Sequence, residues 1–142
     1  MNSKNNFMLR AIELSINSAN NDGGPFGCVI TKENKIIAEG SNKVTLSNDP
    51  TAHAEVVAIR EACKKLNTFK LTGCDLYTSC EPCPMCLSAI YWSHIDNIFY
   101  AIKDAVASVG KYKEIPILDA PATPEKILMS LNELKNRINY DN

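Results

Sequence analysis

Residues 79–86 read SCEPCPMC, which places cysteines at 80, 83 and 86 and prolines on both sides of Cys83. Composition makes CDLYTSC (74–80) a strand, and PMCLSAIYW, from Pro84 on, a short apolar helix. Pro82 and Pro84 fix the chain where it enters that helix. Cys83 and Cys86, at i and i+3, share one helix face and can grip one metal ion. At a helix N-terminus the orphan N–H groups and the dipole favour thiolates, the form in which cysteine binds zinc. The stretch is therefore half of a metal site set between a strand and a helix.

A chain of 142 residues is long enough for one domain with its own core, and 1–142 is read as a single domain. With 45% hydrophobic and 22% charged residues the composition is that of a soluble globular protein. No 18 apolar residues stand together, and MNSKNNFMLR lacks an apolar run with a small-residue cleavage site. The expected location is cytoplasmic, with no membrane partner. Thiols stay reduced there, so six cysteines argue for metal binding or burial rather than disulfides. Net charge is −1 and the longest basic clusters are Lys64-Lys65 and Lys111-Tyr-Lys113, so a strong footprint for nucleic acid is missing.

Hydrophobic spacing gives a first helix over 7–19, with Phe7, Met8, Ala11, Ile12, Ser15 and Ala19 on one side. FGCVITKENKIIAEG reads as two strands joined at Glu33-Asn34. In NDPTAHAEVVAIREAC, Asn48 or Asp49 is expected to cap a helix with Pro50 at its first position. Ala54, Val57, Ala58 and Ala62 would then face the core. IDNIFYAI supplies another strand, KYKEIPIL a candidate last one, and Thr123-Pro124 opens a helix striped by Ile127, Leu128, Leu131, Leu134 and Ile138. The order α, β, β, α, β, α, β implies a mixed sheet with helices on its faces.

His53 and His94 are the two histidines of the chain. His53 falls in the first turn of the second helix, with Glu55 two residues on. Positions i and i+2 do not share a helix face, so a metal near both lies off the helix end. His53, Cys83 and Cys86 make three ligands, and water in fourth place is the arrangement of catalytic zinc. Glu55 is placed to move protons beside that water. Cys80 is the rival fourth ligand and would close the site into a structural one. It ends a strand, committed to one sheet face, and in a closed site Glu55 would have no purpose.

The pair HAE at 53–55 and PCPMC at 82–86 resembles the signature of the zinc-dependent cytidine deaminase-like superfamily, H-x-E followed by P-C-x-x-C. Within it, GGPFGCVI, SNDPTAHAEVVAIREAC, LYTSCEPCPMCLSAIYW and IFYA look most like the bacterial guanine deaminases, over roughly residues 7 to 101. The transfer RNA adenosine deaminases carry a similar H-A-E and P-C-x-M-C core. The resemblance implies a three-layer α/β/α sandwich around a mixed five-stranded sheet, one Zn2+ per chain, a small-molecule nucleobase substrate and a homodimer. It also implies hydrolytic removal of a ring amino group, for guanine at C2 to give xanthine and ammonia, with Glu55 as general acid and base. Asn42 is implied as a partner of the purine edge, Phe26 as a surface for the ring, the backbone N–H groups of Ala54 and Cys83 as further contacts, and Trp92 as an apolar wall.

After Ala101 the pattern expected of guanine deaminases, G-F-D-D-x-F-I-Y, gives way to IKDAVASVGKYKEIPILD, where Asp104 or Glu114 are the candidate substitutes for its acidic residue. Plainer readings stand beside the rest. Cys28, Cys63, Cys74 and Cys80 pack as small hydrophobes, and His94 is a cap or surface residue. Phe26 and Trp92 are equally suited to the core, and Asn42 to a turn. The rival functions are editing of adenosine in transfer RNA, deamination of cytosine or a nucleoside, and a zinc-stabilised binding module without activity.

Overall fold

The computed structural model describes residues 3–101. In chain order these form α1 (Ser3–Ala19), β1 (Gly24–Lys32), β2 (Lys35–Asn42), α2 (Val44–Ser47), α3 (Ala54–Leu66), β3 (Cys74–Thr78), α4 (Pro84–Trp92) and β4 (Asn97–Tyr100). The strands lie in the order β2-β1-β3-β4. β1 is antiparallel to both neighbours, and β3 runs parallel to β4. A parallel pair needs a crossover, which α4 provides. The sheet is mixed, as expected, and has four strands among the described residues. The expected strand at KYKEIPIL, the tail helix beyond Thr123-Pro124, Asp104 and Glu114 all lie outside them.

Strand alternation assigns the two faces. Cys28 pairs with Thr78 and Ile30 with Leu76, and Ala38 lies opposite Ile30. The apolar members of this face are buried with Ala54, Ala58, Ile59 and Ala62 of α3 and Ile90 of α4. On the other face Val29 pairs with Tyr77 and Tyr77 with Phe99. There the Tyr77 ring stacks on Phe99 at 4.8 Å and meets Phe7 of α1 at 5.4 Å. So α1 covers one face and α3 with α4 the other, the three layers of a cytidine deaminase-like fold.

Two glycines let the helices approach. A Cβ at Gly27 would collide with the Ala11 carbonyl of α1, and one at Gly40 with the Ala54 carbonyl at the start of α3. The small residues Ala54, Ala58 and Ala62, all fully buried, complete the close seat of α3 on β2 and β1. The hairpin turn falls where expected. Glu33 and Asn34 have φ of 51° and 58°, the left-handed pair that matches the twist of two antiparallel strands.

The second helix begins later than its sequence implies. Asp49 Oδ1 accepts from Thr51 N at 2.8 Å and Thr51 Oγ1 at 2.7 Å, and Ala52 N donates to the Asp49 carbonyl. These bonds close a local turn around Pro50. The aspartate is consumed by that turn, and α3 starts at Ala54 with His53 as its N-cap. The preceding single turn of helix, α2, ends on Asn48 in the left-handed region and was not legible as an element.

Candidate active site

His53 and Cys83 occupy equivalent positions. Each is the N-cap of a helix, extended at φ −67° with ψ of 155° and 166°, and neither side chain caps its own helix. Their carbonyls accept the first helical bonds, from Val57 N and Leu87 N, while both side chains stay free to face outward from the helix ends. Cys86, at the third position of α4, is fully buried. His53 Nδ1 lies 3.6 Å from Cys83 Sγ and 3.5 Å from Cys86 Sγ. Tetrahedral zinc with its usual Zn–N and Zn–S lengths would hold nitrogen and sulfur about 3.6 Å apart. The three donor atoms all lie within 4.8 Å of one another, and the set fits that ion. Cys80 stands outside this group.

Burial first, and then the charge of Glu55, hold the Cys86 thiol well above its ordinary value. A cation that takes its thiolate must displace a proton, with the N-termini of α3 and α4 opposing the accumulated negative charge. Glu55, the second residue of α3, is 3% exposed, and its Oε1 accepts from Thr78 Oγ1 at 2.8 Å.

Beside the donors is a cavity of about 220 Å³. His53, Ala54, Glu55 and Cys83 line it together with Phe26, Asn42, Cys80 and Glu81. The Asn42 side chain is already oriented, since Oδ1 accepts from Val44 N at 3.1 Å. Gly24 gives it room, because a Cβ there would lie 2.8 Å from Asn42 Cγ. Among the described residues the amide NH2 has no hydrogen-bond partner. Burial, with the Glu55 charge second, pushes the Cys80 thiol up to about 11. It is a neutral group that donates to the Glu81 carbonyl at 3.7 Å.

The structure brings His53, Glu55, Cys83, Cys86, Asn42, Phe26 and Ala54 to one place. Trp92 is not among the cavity-lining residues. It is the ninth and last residue of α4 and 74% exposed. At about 1.5 Å per residue it lies roughly 9 Å along the helix axis beyond Cys86 and about 13 Å beyond Cys83. His94 is exposed, in a left-handed turn at φ 58°. Reading the residues missed Thr78 and the place of Cys80 in the wall. The strand expected over 74–80 stops at Thr78, leaving Cys80 in the loop beyond it, and Cys28 opposite Thr78 puts that threonine on the face of α3.

The family model for the cytidine and deoxycytidylate deaminase zinc-binding region matches residues 1–102. Guanine deaminase of Bacillus subtilis (strain 168) is 53% identical over 128 residues, 85% of this chain and 80% of that one. An X-ray structure of guanine deaminase from Bacillus subtilis covers 96% of this chain and 95% of its own, with a TM-score of 0.69 at 47% identity. A tRNA-specific adenosine deaminase of Aquifex aeolicus (strain VF5) is 42% identical over 103 residues, 72% of this chain and 68% of that one.

Proposed function

Because the chain belongs to the cytidine and deoxycytidylate deaminase zinc-binding family, we propose that it is a zinc-dependent hydrolase converting guanine to xanthine and ammonia. The observation that carries this reading is the convergence of one imidazole and two thiols on a point beside the buried carboxylate of Glu55. Three protein ligands leave a tetrahedral ion one open position. The identity to a guanine deaminase, 53%, is higher than the 42% to a tRNA-specific adenosine deaminase, and it favours the free base as substrate.

In this reading His53, Cys83 and Cys86 hold the ion. When bound, zinc supplies a Lewis acid that brings the pKa of water toward neutrality. Glu55 takes one proton of the attacking water and delivers it to the ring nitrogen next to C2; it then takes the remaining proton from the oxygen now bonded to C2 and gives it to the amine, which leaves as ammonia as the C2 carbonyl forms. One carboxylate serves each transfer because all three atoms lie around the same carbon. Asn42 donates its amide N–H to the acceptor edge of the purine, and Phe26 packs on the ring. The Ala54 N–H, at the start of α3, is a further donor.

The same reading makes the protein a cytoplasmic, single-domain homodimer, and the exposed side chains of Leu87, Tyr91 and Trp92 on α4 support the last point. Among the described residues no helix is long and apolar enough to cross a membrane. A substrate panel tests the reading: ammonia release from guanine, guanosine, adenine, cytosine, cytidine and a transfer RNA anticodon stem. Turnover of guanine ahead of the others is expected. Preference for the anticodon stem, or for cytosine, would replace guanine as the substrate.

A further inference from the structure

Glu55 carries the proton transfers in the reading above, and the inference here rests on that reading. A buried carboxylate on the first turn of a helix has rotamer freedom unless something fixes it. Among the described residues, the Thr78 hydroxyl donates to Glu55 Oε1 at 2.8 Å with both side chains buried, at 0% and 3% exposure. Thr78 comes from another layer. It ends β3, locked in register by its pairs with Cys28 and Tyr100, and faces α3 because Cys28 does.

We propose that Thr78 is a positioning residue: its hydroxyl pins one oxygen of Glu55 so that the other is presented to the substrate and the attacking water. An ionised carboxylate only accepts, so the hydroxyl hydrogen is committed to Oε1. The β-branched side chain is stiff at χ1, and the strand that holds it is central to the sheet. The arrangement is a base oriented by a third group that never touches the substrate. Cys80, two residues past the end of this strand, lines the cavity itself.

Three proteins test this: wild type, Thr78→Val, which keeps the shape and removes the donor, and Thr78→Ser, which keeps the donor. Each is measured for zinc content, thermal midpoint, kcat and KM on guanine, and crystallised with zinc. We expect Thr78→Val to bind one zinc, to lose kcat by about ten- to a hundredfold with KM little changed, and to show the Glu55 carboxylate rotated from its wild-type position. Thr78→Ser should restore both rate and carboxylate position. A valine variant with Glu55 in place and wild-type kcat overturns the proposal, as does a serine variant as impaired as valine. Should wild type leave guanine untouched, the substrate reading fails, and the Glu55 positions in the crystals still decide whether Thr78 holds it.

Discussion

Asn42 lines the cavity with its amide oxygen already bonded to Val44 N–H and, among the described residues, no partner for its NH2. Replacing it by alanine should therefore raise KM for guanine by about ten- to a hundredfold, the equivalent of one lost hydrogen bond to a buried partner, and lower kcat far less. Steady-state kinetics check this, and an unchanged KM removes Asn42 from the substrate contacts. At this scale the metal donors were legible because zinc accepts few side chains and the spacing of His53, Cys83 and Cys86 allows few geometries. Thr78 was not, because threonine at a strand end has no distinctive chemistry until its partner across the layers is known. Trp92 is not among the residues that line the cavity, because an aromatic near a motif in sequence is carried away by the rise of a helix.

Helix α3 brings both His53 and Glu55 to the site, and its seat on the sheet depends on Gly40. In Gly40→Ala the added carbon meets backbone at Ala54 and Ala58 rather than a flexible side chain. Overpacking of this kind costs about 1–3 kcal/mol. We expect the denaturation midpoint to fall and zinc affinity to fall with it, since the helix start carrying His53 must move. Affinity equal to wild type would show that the site is independent of that contact. On the opposite face, Arg10 Nε and Nη2 of α1 donate to both oxygens of Glu39 on β2 at 2.7 and 2.9 Å. That bond to Arg10 holds the Glu39 carboxyl below its ordinary value of 4.5. A depressed carboxylate stabilises the fold above its unfolded value and loses that contribution as pH falls through the folded one. Glu39→Gln should thus be less stable at pH 7 by about 0.5–1 kcal/mol, the pair being partly exposed. The deficit should vanish in acid below the usual carboxylate range, and urea titrations at both pH values measure it. The elements themselves were largely legible from apolar spacing. The start of α3 was not, because Asp49 and Pro50 carry the marks of a helix start while Thr51 captures the aspartate for a turn.

Across the described residues, helices lie on both faces of the sheet, and the site forms where α3 and α4 begin. The outer side of α4 presents Leu87, Tyr91 and Trp92 at 51%, 78% and 74% exposure, an apolar surface of the kind that marks an interface. If a second copy covers it, as we propose, Trp92→Glu should shift the sedimenting species from dimer to monomer while the folded protein keeps its zinc. A wild-type protein that sediments as a monomer contradicts the dimer. A mixed sheet with helices on its faces followed from the succession of elements, whereas strand order could not, because β3 reaches β1 only through pairings distant in sequence. The claim on which everything else depends is that His53, Cys83 and Cys86 hold zinc for a proton transfer made by Glu55. One side-by-side measurement addresses it: zinc content and xanthine formation from guanine, in wild type and in Glu55→Gln. We expect one zinc per chain in both proteins and xanthine from the wild type alone. Equal turnover by the two proteins, or zinc without turnover of any base by the wild type, would contradict it.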